Sequence, residues 1–326
     1  MLGVRSSGLT ARDRPVLTQG QIGSVIFLGN SRAGAASVRR LTRQVRLAAP
    51  RPHRIATMLT VDQEGGTVQR QRGPGFSTIP SAVQQGRMTN TQLAGRAKTW
   101  GRQLKAAGID ADLAPVADVV PRGFASVNQP IGVLRRGFSS SPYVVARKAG
   151  AFVRGMERAG IATSVKHFPG LGRVRGNTDV ESHVVDHTTT RHDAALQGFA
   201  GAVDARVDMV MVSTAYYAKI DPLRRAAFSP IVIDQMVRHD QGFKGVVISD
   251  DLSAAAVRDL KPSQRALRFL RAGGDLMIVG NPVSVPSMSR AIATEATRSP
   301  AFAATVKDKA TRVLAMKARH GLARCG

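Results

Sequence analysis

The sequence predicts an α/β fold, a single (β/α)8 TIM-type barrel, on three observations. Eight short apolar runs rich in β-branched residues are spread along the 326 residues. Between most of them lie stretches of Ala, Arg, Leu and Gln with helical period. Polar or charged residues follow directly on the runs, the position where barrel enzymes carry their chemistry.

The first run, Met1–Val4, is a strand with nothing before it, so the N-terminal element reads as truncated. Strands are then expected at Ser24–Leu28, Ala56–Val61, Ala111–Ala114, Ala162–Val165, Met209–Ser213, Val246–Ser249 and Leu276–Val279. Helices are expected at Thr91–Ala107, Pro142–Ala159, Asp193–Ala205 and Pro262–Ala272, each ending near a glycine. Strand and helix in alternation imply a parallel sheet. Eight units in an unbroken chain suggest a closed barrel, with a doubly wound open sheet as the alternative. Ala301–Ala323 reads as a closing helix, and no linker divides residues 1–326, which are taken as one domain.

Composition excludes several classes. With 43% hydrophobic and 21% charged residues the chain can build a core. No apolar run reaches the roughly 18–20 residues that span a bilayer, and the N-terminus is not a signal peptide. A lone cysteine, Cys325, excludes an intrachain disulfide and a multi-cysteine metal site. The net charge of +25 invites a nucleic-acid reading, but the arginines are scattered and only three Tyr and one Trp are available for stacking on bases. No partner nucleic acid is therefore expected, and the protein is expected to act as a monomer. Histidines at 53, 167, 183, 187, 192, 239 and 320 are dispersed, so neither metal nor cofactor is called for. His53, His239 and His320 are expected on the surface without partners.

Strand ends carry the candidate site. Val246–Ser249 runs into Asp250 and Asp251; Asp250 continues the strand toward a pocket, and Asp251 is expected to cap the following turn. In Thr60–Arg70, an acid, a glycine pair and an arginine put Asp62 and Arg70 where a carboxylate could accept from sugar hydroxyls and a guanidinium donate to them. Lys166-His167 end the fifth strand, and a long loop to Asp193 follows with no evident element. Within it Glu181-Ser182-His183 places acid and imidazole on one side of an extended segment, so the carboxylate can orient a ring able to give and recover a proton near neutrality.

Taken together, VDQEGGTVQR (61–70), DLAPVADV (112–119), KHFPGLG (166–172) and GVVISDDLSA (245–254) resemble the bacterial β-N-acetylhexosaminidases of glycoside hydrolase family 3. The resemblance runs from about Gly20 to Gly280. It implies a barrel that removes terminal β-linked N-acetylglucosamine from peptidoglycan fragments. Asp250 then matches the nucleophile; Asp62, Arg70, Lys166 and His167 match the sugar-binding groups; His183, with Glu181, matches the acid/base on a mobile loop. Four additional residues lengthen this loop between Gly172 and Asn177, so Asp179 is an alternative acid. The family's Arg-Ser-Phe is replaced by Arg135-Arg136-Gly137-Phe138, and either arginine is a candidate ligand. A sugar-binding barrel without catalysis and a glucosidase-like enzyme remain as alternatives. A lost upstream signal would place the protein at the envelope or outside the cell; otherwise it is cytoplasmic.

Overall fold

The computed structural model describes residues 1–323 except Gln21 and Arg51; Cys325 lies outside them. Eight parallel strands form one sheet in chain order: β1 (Leu2–Arg5), β2 (Ser24–Leu28), β3 (Met58–Val61), β4 (Ala111–Asp112), β5 (Ala162–Phe168), β6 (Met209–Val212), β7 (Val246–Asp251) and β8 (Leu276–Ile278). Gly3 N–H donates to Val279 O and Val279 N–H to Met1 O, both at 2.9 Å, which closes β8 onto β1. The open-sheet alternative is thereby excluded. Helices α1 (Asp13–Gln19), α2 (Gly34–Ala48), α3 (Asn90–Ala106), α4 (Pro142–Glu157), α5 (Gln197–Asp204), the π-helix α6 (Ile231–Asp240), α7 (Pro262–Arg271) and α8 (Val285–Arg298) follow the strands in turn.

Strand alternation divides the core in two. Ile26, Met58, Ala111, Leu113, Ala162, Met209, Met211, Val246, Ile248 and Ile278 share one cluster inside the barrel. Their neighbours Val25, Phe27, Leu59, Val61, Val165, Val210 and Val247 point outward and pack with the helices. Helix α9 (Pro300–Arg319) plugs the lower end: Met316 and Leu322 join the inner cluster, and Lys317 Nζ donates to Gly23 O at 2.5 Å and Ala56 O at 3.0 Å. This overturns an expectation that also fails at His239, whose Nδ1 lies 3.0 Å from Asp240 Oδ1. His320 is not a free surface residue; its Nε2 lies 2.8 Å from Asp208 Oδ1, a pairing that bridges 112 positions and has no local sign in the sequence.

The loop after β5 also holds an element the periodicity did not show. Val185–Asp186 pairs in parallel with Tyr216–Tyr217, which pairs antiparallel with Asp221–Arg225, giving a small sheet at the rim. Two-residue strands carry too little pattern to be read.

Closure at β1 depends on a missing side chain. A Cβ on Gly3 would lie 2.6 Å from Leu28 Cδ1 and 2.7 Å from Gly280 Cα. Gly3→Ala should therefore cost about 1–3 kcal/mol of stability, measured by urea unfolding; an unchanged midpoint would contradict this closure.

Candidate active site

Period two aims the chemistry. On β3, Met58 and Thr60 precede Asp62 on the inner face; on β7, Val246 and Ile248 precede Asp250, and a register shift against β8 between Ile248 and Asp251 lets Asp251 border the same space. Asp251 Oδ1 accepts from the N–H groups of Ser253 and Gly280, each at 2.8 Å, and so ties the ends of β7 and β8 together.

Above the inner residues Ile26, Leu113, Met211 and Ile278 lies a cavity of about 320 Å³, bounded by Asp62, Arg70, Arg136, Lys166, His167, Asp179 and Asp250. One wall is a buried ion cluster. Lys166 Nζ lies 2.5 Å from Asp62 Oδ1 and 2.8 Å from Glu64 Oε1. Arg136 donates Nε and Nη2 to the two oxygens of Glu64, both at 2.8 Å. Burial opposes the charge on Glu64, but Arg136 and Lys166 overcome it and hold the carboxyl well below its usual range. Lys166 likewise resists burial, because Asp62 and Glu64 raise its pKa above the usual value. Next to it, Arg136 Nη2 is 3.3 Å from His167 Nε2, and His167 Nδ1 is 2.7 Å from Asp118 Oδ2. Asp118, fully buried, also accepts from the N–H groups of His167 and Leu171 and so fixes the turn after β5. Behind this wall, burial pushes the Asp112 carboxyl up to about 8, so it adds little negative charge at neutral pH.

Across the cavity stands Asp250. Burial is the main reason its pKa is pushed up to about 6; the Asp179 carboxylate adds to the rise and His167 opposes it. Its Oδ1 accepts from Asp251 N–H at 2.8 Å, which steadies the side chain.

Arg70 borders the cavity, with its Nη1 donating to Asn30 Oδ1 at 3.2 Å. Three of the expected residues are placed otherwise. Arg135 has φ of 56°, is exposed and does not reach the cavity, so Arg136 alone of the pair bounds it. Glu181 and His183 lie outside, in a separate shallow groove. The N–H groups of Ala255 and Ala256 donate to Asp179 O and Thr178 O and pin that stretch to the cavity edge. The chain then turns outward: Glu181 Oε1 accepts from Asn177 N–H at 2.8 Å, and the His183 ring packs 5.1 Å from the Tyr216 ring.

Glu64, Asp118 and Arg258 were not singled out as site residues. Glu64 could have been: it stands two positions after Asp62 in an extended segment and so faces the same way. Arg258 borders the cavity from the turn after β7, with no sequence signal.

The family described as Glycosyl hydrolase family 3 N terminal domain matches residues 3–316. The chain belongs to glycoside hydrolase family 3. Among family relatives, a beta-hexosaminidase of Stenotrophomonas maltophilia strain K279a is 35% identical over 301 residues, covering 90% of this chain and 86% of the relative. One from Idiomarina loihiensis is 34% identical over 292 residues, covering 86% and 83%. The crystal structure of a β-N-acetylhexosaminidase from Beutenbergia cavernae superposes with a TM-score of 0.95 at 41% identity, over 98% of this chain and 96% of that one. This family 3 barrel is therefore a glycosidase, acting on a glycoside.

Two predictions follow from the ion cluster and the raised acid. Glu64→Ala leaves Lys166 and Arg136 buried without a shared partner and should cost about 3–5 kcal/mol in chemical unfolding; a loss below about 1 kcal/mol would mean the cluster is dispensable. Asp250 has its pKa raised from 3.8 to about 6 by folding, so the cost to stability is full above about pH 6 and fades as pH falls from there toward 4. Asp250→Asn should thus raise the melting temperature at pH 7.5 and lose that gain toward pH 4.

Proposed function

We propose that this family 3 glycosidase is a retaining β-N-acetylglucosaminidase, releasing terminal β-linked N-acetylglucosamine from peptidoglycan-derived or related glycosides and acting as a monomer. The observation that carries the reading is Asp250 on the inner face of β7, opposite the Asp62–Lys166–Glu64 cluster in a sugar-sized cavity. The names of its relatives, beta-hexosaminidase and β-N-acetylhexosaminidase, favour the acetamido sugar.

The ring's remote hydroxyls meet Asp62, Lys166 and Arg70, so binding energy orients the anomeric carbon over Asp250. An Asp250 oxygen forms the bond to that carbon as the bond to the departing oxygen breaks, and a general acid protonates the leaving group. Water, losing a proton to the same group, then releases the sugar with its configuration retained. Retention requires acid and nucleophile about 5–5.5 Å apart.

His183 is the general acid in this reading. It stands in Glu181-Ser182-His183, the acid–Ser–His stretch by which the loop resembles the family. In the structure the ring lies against Tyr216, over which the Arg225 guanidinium stands at 4.8 Å, with Arg225 held by Asp259 at 2.9 Å. The segment after Asp179 must therefore swing inward before turnover, and closure contributes to kcat. A second reading makes Asp179 the acid, because it already borders the cavity.

Single variants assayed on β-linked N-acetylglucosaminides decide between these. His183→Asn should lower kcat about 10²–10⁴-fold, less on a nitrophenyl leaving group, while Asp179→Asn retains most activity. The reverse pattern selects Asp179. The pH profile of kcat/KM should fall as pH drops through about 6, where Asp250 takes up a proton; a profile flat well below that value would remove Asp250 as nucleophile.

A further inference from the structure

Asp112 ends β4, has no exposed surface and does not border the cavity. Ala111 and Leu113 on either side of it point into the barrel, so its side chain turns the other way, behind the wall that carries Asp62, Glu64 and Lys166. There its Oδ1 accepts from Gln63 N–H at 2.9 Å. Among the described residues its Oδ2 is buried without a partner, and no cation lies within 4.0 Å of either oxygen.

Gln63 sets the position of this wall. Its side chain exchanges hydrogen bonds with the Gln71 backbone, Nε2 donating to Gln71 O at 2.8 Å and Oε1 accepting from Gln71 N–H at 2.9 Å, and the bond to Asp112 fixes its backbone as well. In this extended segment Asp62 and Glu64, one position to either side, face the opposite way, toward Lys166. By holding Gln63, Asp112 holds both carboxylates.

Charge decides the form in which it can do so. The charged groups that face it are Asp62 and Glu64 from the segment after β3, Lys166 from β5 and, paired to Glu64, Arg136 from the loop after β4. These two acids and two cations already balance. A carboxylate at position 112 would be buried without a counter-charge and would compete for Lys166. A neutral acid leaves only one orphan hydroxyl, a far smaller cost, and burial accordingly pushes this carboxyl up to about 8.

We infer that Asp112 works as a neutral carboxylic acid, a positioning residue that fixes Asp62 and Glu64 through Gln63 and leaves Lys166 to them, and that its ionisation loosens the wall's hold on the sugar. The inference rests on the glycosidase reading above. Its test compares the wild type with Asp112→Asn, which keeps the acceptor and cannot ionise, and Asp112→Ala, which removes the acceptor. Infrared difference spectra, wild type minus Asp112→Asn, should show the carbonyl stretch of a protonated carboxyl at pH 7, giving way to carboxylate bands as pH rises through about 8. On a nitrophenyl N-acetylglucosaminide at pH 7, Asp112→Ala should lose about tenfold in kcat/KM, as expected for an orphaned buried N–H, and Asp112→Asn should recover it. The ratio of kcat/KM for Asp112→Asn to that of the wild type should then rise as pH passes about 8, because only the wild type ionises there. Carboxylate bands at pH 7, a ratio that does not change with pH, or a tenfold loss in Asp112→Asn at pH 7 overturns the inference. Should Asp112→Ala fail to fold, the other comparisons decide it. If the wild type releases no nitrophenol, the glycosidase reading fails, and the infrared spectra still uphold or overturn the neutral acid.

Discussion

Lys166, buried between Asp62 and Glu64, is the contact on which the site depends. A lone ammonium in this interior would be costly, and so would either carboxylate; together, with Arg136 completing Glu64, they satisfy one another. The cluster draws from the ends of β3 and β5 and from the loop after β4, so it forms only once the barrel has closed. It leaves Asp62 and Lys166 with their polar atoms turned along one wall, an arrangement suited to hydroxyl groups that both donate and accept. Arg70 and His167 extend that wall on either side, each held by a neighbour, Asn30 or Asp118, that contributes position more than charge.

The opposite wall obeys a different logic. Asp250 is half-buried, and among the described residues no cation pairs with it and the N–H of its neighbour Asp251 is the donor that reaches its side chain. That is unfavourable for folding and, for the nucleophile proposed above, favourable for forming a bond to carbon, since full ion pairing would blunt it. The structure therefore places paired charges where binding needs rigidity and an unpaired one where reaction needs reactivity. Such a division, stability given up at one residue and secured around it, is a common property of active sites.

How much of this was legible follows from the length of each pattern. The barrel was readable because eight strands and the longer helices repeat a period over many residues, and the alternation that buries Val246 and Ile248 also aims Asp250 inward. The small rim sheet was not readable, since two residues at Val185–Asp186 and two at Tyr216–Tyr217 hold no period. Pairings such as Glu64 with Arg136 or Asp208 with His320 join positions 72 and 112 apart and exist only in the folded chain. The loop was the hardest part: alternation put Glu181 and His183 on one side, but Glu181 turns to Asn177 N–H and His183 to Tyr216, and contacts of Thr178 and Asp179 with the turn after β7 decide which of its residues borders the cavity.

The central claim is that Asp250 forms the covalent bond to the sugar. Intact-protein and peptide mass spectrometry after reaction with a slow 5-fluoro N-acetylglucosaminyl fluoride tests it most directly. The account predicts one glycosyl adduct per chain, located on Asp250 and absent from Asp250→Asn. An adduct on Asp62, Glu64 or Asp179, or continued turnover with no adduct formed, would contradict it.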